Sequence, residues 1–349
     1  MQNSFPRCMP VGSLPYEDDS ATTKMMVKLY EKIPYLALLP KVDIDENLLF
    51  RTLSNIPNIK FQGKNAVLVD DAITFRQEIN ALDVAFNNPT LENLEPFGDC
   101  SYFLPKYMLI INRLKPAYTV INLLGPLTAS QILSTEGNKQ IASDRLYRKL
   151  LVEAVAVKAL WFINEIKSFS PNTTPIVVLE EPLLYKIGEL KRENEDITQD
   201  VIVNFLAKTI EKIKEAGAKV CIQSFEKCDW QIPIKAGVDI ISFDAYHNPN
   251  NINIISDKIN SFLRGGGIIN WGIVPVKNEN LIKSLSVEKL YDRFIDTIST
   301  LIIDGVDEKL IYNNAMVSIQ GDLENLPLFF AEKALILSTQ LAKRIPFKN

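Results

Sequence analysis

Short runs rich in valine and isoleucine alternate with segments of helical period along this chain, and that alternation limits its fold more than any other feature. The second half shows it most plainly. The run at 175–181 (PIVVLEE) reads as a buried strand, followed by a helix over 200–216 that stops at Gly217. Strands at 219–224 (KVCIQS) and 238–246 (VDIISFDAY) come next, then a helix over 253–263 halted by Gly265, Gly266 and Gly267. A strand at 268–273 (IINWGI), a helix over 287–303 ending at Gly305, a strand at 309–315 (KLIYNNA) and a helix over 326–342 complete the series. Apolar strands separated by helical segments are the mark of βαβ units and a parallel sheet.

The first half adds strand candidates at 8–13 (CMPVGS), 34–39 (PYLALL) and 118–124 (YTVINLL), and a long amphipathic segment over 144–169. Eight strands with helical crossovers predict an α/β fold, a (β/α)8 TIM barrel, as one domain over 1–349. A barrel of this kind needs ~250 residues, and the surplus lies at 41–115 as an insertion between the second and third strands. Within it, IKFQGKNAVLVDD reads as a hairpin turning at Gly63-Lys64-Asn65, with two helical segments after it. The alternative that the same alternation permits is an open doubly wound sheet.

Composition then removes several functions. Lys and Arg number 38 against 42 Asp and Glu, a net charge of −4, so no cationic excess exists to hold a nucleic-acid backbone. The single histidine, His247, excludes a multi-histidine metal site within the chain. The four cysteines, Cys8, Cys100, Cys221 and Cys228, show no CxxC spacing and are too few for a disulfide scaffold in a chain this long. No signal-peptide pattern opens the sequence and no run of membrane-spanning length occurs, so a cytoplasmic protein without membrane attachment is expected. No phosphate-binding glycine fingerprint follows a strand, which removes dinucleotide and nucleoside triphosphate cofactors.

In a barrel the chemistry sits at the C-terminal ends of the strands. Here those ends read Gly12-Ser13, Gly125-Pro126-Leu127-Thr128, Glu180-Glu181-Pro182, Gln223-Ser224-Phe225, Asp244-Ala245-Tyr246-His247, Trp271-Gly272 and Asn313-Asn314. Polar groups gather where the apolar strand bodies stop. The acids at 180 and 181 serve either as substrate carboxylates or as caps accepting amide hydrogen bonds at the rim. His247, before Asn248-Pro249, reads as a surface-loop histidine more readily than as a base, and Cys8 and Cys221 as small core residues.

Taken in order, several of these motifs resemble the catalytic barrel of cobalamin-independent methionine synthase, and more closely the stand-alone barrels of the superfamily that includes uroporphyrinogen decarboxylase. The matching pieces are VGSLP at 11–15, LGPLT at 124–128, LEEP at 179–182, Cys228-Asp229-Trp230, DIISFDAY at 239–246 and WGIVP at 271–275. The resemblance implies transfer of a methyl group to a thiol that zinc holds as thiolate. It also implies zinc ligands of a His and a Cys after the fifth strand, a carboxylate after the sixth and a Cys after the eighth.

At those positions this chain has Gln223-Ser224-Phe225 and Gln320-Gly321, and Asp244 is the one ligand-type residue that survives. Zinc depends on thiolate and imidazole donors in such a site, so a degenerate centre with no working metal ligands is expected. By the same resemblance Ser13 matches a residue that holds the substrate, and Glu180 an Asp that binds its amine. The expected substrate-binding set is therefore Ser13, Glu180, Glu181, Gln223, Asp244 and Trp271, around a small thiol or amino acid, with a corrinoid protein as a candidate partner. A metal-free binding protein of the same fold is the second expectation. A tetrapyrrole decarboxylase is the third and weakest, because the rim motifs supply no arginine for a polyanion.

Overall fold

The computed structural model describes residues 5–63, 65–69, 75–99, 101–137 and 140–348. Nine strands lie among them: β1 (Ile59–Gln62), β2 (Asn65–Leu68), β3 (Tyr118–Leu124), β4 (Ser134–Thr135), β5 (Thr174–Glu180), β6 (Lys219–Ser224), β7 (Ile240–Asp244), β8 (Ile268–Pro275) and β9 (Ala315–Gln320). Six of them form one curled parallel sheet in the order β3-β5-β6-β7-β8-β9. Every strand of this sheet is buried on both faces apart from some end residues. That explains why their sequences run apolar without alternation.

The segments expected as the first two strands lie at the two edges of this sheet. Each makes one isolated parallel bridge there, Cys8 to Val317 of β9 and Tyr35 to Val120 of β3. A backbone hydrogen bond of 3.0 Å from Leu14 N to Leu38 O joins the two segments. Pro10 and Pro15 in one and Pro34 and Pro40 in the other lack the N–H that a longer ladder requires.

The last strand lies elsewhere than its expected position. Residues 309–315 do not form a strand: Glu308–Asn313 is a helix, and β9 follows it at Ala315–Gln320. Asp307 starts that helix by accepting from the amides of Lys309 and Leu310. The β-branched pattern of Met316–Ile319 then supplies the strand. Asn313 and Asn314 therefore precede the strand and bond to the carbonyls of Lys348 and Leu310.

Strands β1 and β2 are antiparallel, with Gln62 opposite Asn65, where a hairpin was expected. β4 joins β2 in parallel to make a separate small sheet. Helices Phe75–Asn87 and Leu104–Leu114 follow the hairpin, with a short turn of helix at Leu91–Leu94 between them. Lys64 of the turn, Asp70 and Asp71 of the same stretch, and Cys100 lie outside the described residues.

Helices cover the outer face of the large sheet. Their ends are encoded locally: Thr198 and Ser286 cap Gln199–Glu215 and Val287–Ile303, and Gly217 and Gly305 end them at φ of 79° and 91°. Between sheet and helices runs a chain of aromatic contacts, Trp230–Phe243–Trp271–Phe294–Tyr312, with ring centroids 5.4–6.1 Å apart. Among the described residues no helix is long and apolar enough to cross a membrane.

Candidate functional site

The inner face of the sheet carries a polar row. Register places Glu180 of β5 beside Gln223 of β6, Gln223 beside Ser242 of β7, and Ser242 beside Asn270 of β8. Neighbours in a parallel register present side chains to the same face, so the row is hydrogen-bonded along its length. Asn122 Nδ2 donates to Glu180 Oε1 at 2.7 Å, and Ser242 Oγ donates to Gln223 Oε1 at 3.3 Å. Asn270 Nδ2 donates to Ser242 Oγ at 2.8 Å and to Ser318 Oγ of β9 at 2.9 Å. One residue further along each strand the face reverses: Phe243 and Trp271, also register partners, point to the helices.

Glu180 and Glu181 are consecutive, and strand alternation sends them to different tasks. Glu180 faces inward at the end of β5. Burial raises its pKa to about 7, the charge of Asp322 adds to the rise, and bonds from Asn122 and Gln223 oppose it. Glu181 is fully buried and accepts from the amides of Leu127 (2.9 Å) and Thr128 (2.6 Å) at the start of helix Pro126–Ile132. Burial lifts it to about 7 as well, despite those bonds. A Cβ on Gly125 would come within 2.2 Å of its carboxyl group, so the glycine makes room for this cap. Of the two acids, the second is occupied as a rim cap.

Past β9 the chain turns at Gly321 (φ 122°) and brings two acids over the mouth. Ser13 donates its amide to Asp322 Oδ1 at 3.0 Å, and its hydroxyl lies 3.2 Å from the same oxygen and 3.0 Å from Glu324 Oε2. The approach is possible because residue 12 is glycine: its φ is 87°, and a Cβ there would stand 2.8 Å from Gly321 O. Among the described residues no Lys or Arg pairs with Glu180, Asp322 or Glu324. The cation acting on Glu180 is Arg51, whose guanidinium is spent on the carbonyls of Leu36 (2.8 Å) and Ala37 (3.0 Å).

Asp244 ends β7 and is buried. Its Oδ1 accepts from the amides of Tyr246 (3.1 Å) and His247 (2.9 Å), and its Oδ2 lies 2.8 Å from His247 Nδ1. The His247 side chain is 42% exposed. It therefore stands in a loop, as expected, but paired to the strand-end acid.

The zinc expectation can be tested on the donor set. Gln223 and Gln320 offer neutral amides and Ser224 a hydroxyl, while both oxygens of Asp244 are engaged. Burial pushes the Cys228 thiol well above its ordinary range, away from the thiolate that binds metal. Among the described residues no three His, Cys, Asp or Glu side chains lie close enough to hold a metal ion. These residues do not fit the zinc centre that the motifs suggest.

Of the expected binding residues, the structure brings Ser13 and Glu180 to the mouth, Gln223 into the polar row, and Asp244 to the rim beside His247. It puts Glu181 under a helix start and Trp271 in the layer between sheet and helices. Asp322 and Glu324 were missed because the last strand was read one element too early. The pairing of His247 had a signal, the D-x-x-H spacing at a strand end.

No family model matches the sequence, and no curated protein matches it. Among solved structures, a methyltransferase from Methanosarcina mazei superposes over 97% of this chain and 94% of its own, with a TM-score of 0.54 and 11% identity. At that identity the likeness establishes a shared fold. A beta-N-acetylhexosaminidase aligns over 68% of the chain and 55% of its own, with a TM-score of 0.38 and 16% identity. The Flavobacterium johnsoniae chitobiase aligns over 73% and 42%, with a TM-score of 0.28 and 12% identity.

Proposed function

We propose that this chain is a methyltransferase-like barrel that binds a small amine-bearing thiol, of the amino-acid class, at its mouth and does so without a zinc centre. In this reading the edge segments around Cys8 and Tyr35 act as the two remaining strands of an eight-stranded barrel, joined through the Leu14–Leu38 hydrogen bond. The likeness in fold to a methyltransferase supports the class.

The observation that carries the substrate proposal is the pair Asp322 and Glu324 at Ser13, with Glu180 close enough to feel the charge of Asp322 and, among the described residues, no ion-pair partner for any of the three. Asp322 and Glu324 share one hydroxyl proton and so leave acceptor capacity unspent, and the charge of Asp322 adds to the rise of Glu180. They are too dispersed to chelate a metal ion. An ammonium group, with three N–H donors, answers both the charge and the spread.

Calorimetric titration tests this. L-homocysteine is expected to bind, and its des-amino analogue mercaptobutyrate is expected to bind at least about tenfold more weakly, as loss of a charge-assisted hydrogen bond predicts. Glu180→Gln and Asp322→Asn are expected to weaken homocysteine by a similar factor. Equal binding of the two thiols, or none by either, would end the proposal. Elemental analysis of the purified protein is expected to find zinc far below one per chain.

A second reading, a binding protein without turnover, is favoured by the polar row, whose side chains are already bonded to one another across the sheet. Formation of methionine from homocysteine and methylcobalamin, followed by mass spectrometry, separates the two. Product favours the enzyme, and tight binding without product favours the second reading.

A further inference from the structure

The only histidine in the sequence is held by a buried acid at the rim of the mouth, and the arrangement has the parts of a proton-transfer pair. Asp244 lies on the same face of β7 as Ser242 of the polar row, one pleat nearer the C-terminal end of the strand, with Gly272 as its register partner. Gly272 has no side chain to place between Asp244 and the mouth. The carboxylate is fixed by the two amide bonds to Oδ1, which leaves Oδ2 for the ring nitrogen. The loop is held in turn by Arg293, whose Nη2 donates to the Tyr246 carbonyl and whose guanidinium stacks 5.5 Å from the Tyr246 ring. The Tyr246 ring meets the imidazole edge-on at 5.1 Å.

We infer that His247 is a general base for the thiol of the proposed substrate, and that Asp244 is its positioning residue. An ionised carboxylate only accepts, so Nδ1 must carry the hydrogen in their 2.8 Å contact. The neutral ring is thereby fixed with its lone pair on Nε2, in a side chain that is 42% exposed. In the step assigned to it, Nε2 takes the proton from S–H, the bonding pair stays on sulfur as thiolate, and the ring becomes an imidazolium stabilised by Asp244. The proton then passes to water. With no cluster of metal ligands among the described residues to hold an ion that would lower the thiol pKa, some other group must remove that proton before sulfur can attack. The inference rests on the thiol substrate proposed above.

The structure makes the consequence of one substitution specific. In Asp244→Asn the two amides still claim the oxygen, so the new NH2 takes the position of Oδ2 and donates to Nδ1. The ring is then forced into the opposite tautomer, with hydrogen on Nε2 and no lone pair on that nitrogen. Nitrogen-15 NMR reads this directly, because one histidine gives one imidazole spectrum. The wild-type protein is expected to show the Nδ1–H tautomer and Asp244→Asn the Nε2–H tautomer.

Carbethoxylation of the ring by diethyl pyrocarbonate is expected to slow at least about tenfold in Asp244→Asn. It is also expected to slow in wild type when homocysteine is added. A wild-type ring in the Nε2–H form overturns the assignment without any variant having to fold. Homocysteine binding with no protection of the ring overturns the role as base while leaving the substrate proposal standing. Absence of homocysteine binding with the Nδ1–H tautomer present removes the substrate proposal, and with it the thiol as the proton source.

Discussion

Ser13 has one hydroxyl proton and two carboxylates within reach, so it can satisfy only one of them at a time. Single residues decide the chemistry of this mouth in that way, by having fewer protons or donors than the neighbours ask for. Glu181 shows the same logic in stability. Its carboxyl group titrates at about 7 in the folded chain against an ordinary value of 4.5, so the native state holds a proton that the unfolded chain has released between those two values. Its contribution to stability is complete below the lower value and is lost as pH rises through the upper one, by on the order of 3 kcal/mol. Glu180 shifts in the same direction. Urea midpoints are therefore expected to fall between about pH 5 and about pH 8, and Glu181→Gln should flatten that decline. An unchanged slope in the variant would place the titration elsewhere.

At the scale of elements, what matters is which face of a strand each residue occupies. Trp271 looked like a rim residue because it lies near the end of its run, yet parity puts it among Phe243 and Phe294 beneath the helices. Trp271→Ala is expected to cost about 3–5 kcal/mol in chemical denaturation, the range for a large aromatic lost from a core. In protein that remains folded, homocysteine binding should change little, and loss of binding at unchanged stability would return Trp271 to the site. Gly125→Ala probes the junction of β5 with the helix at Pro126. The added methyl meets the Glu181 carboxyl group, which its two amide bonds hold in place, and a cost of about 1–3 kcal/mol is expected.

Over the whole molecule, the two ends of the described chain are tied together beside β9. Arg7 donates to the carbonyls of Tyr312, Ala315 (3.0 Å) and Pro346 (3.2 Å), and its guanidinium lies 3.7 Å from the centre of the Phe347 ring. The same stretch makes the backbone bonds Met9 N to Val317 O and Val317 N to Arg7 O. Arg7→Met leaves three carbonyls without this donor and should destabilise by roughly 2 kcal/mol. If the segment acts as a barrel strand, hydrogen exchange at the amides of Met9 and Val317 should accelerate in this variant while amides of β6 and β7 stay protected. Uniform acceleration would mean that the segment has no local stability of its own to lose.

The alternation of apolar runs and capped helices was enough to place a parallel α/β sheet, its five strands β3, β5, β6, β7 and β8, the hairpin of β1 and β2 and most helix stops. These depend on short-range rules: period, cap and glycine. The last strand escaped because KLIYN suits a helix or a strand equally, and Asp307 settled the choice by capping. The site was legible only in part. Ser13, Glu180 and Asp244 could be found as polar residues closing apolar runs. Which of two adjacent glutamates faces the mouth, and that acids 322 and 324 reach Ser13 across 309 and 311 residues of chain, are tertiary facts. They are set by strand register and by loops crossing between distant elements. Local sequence determines what each segment becomes, whereas the meeting of side chains at the mouth depends on how the segments are stacked.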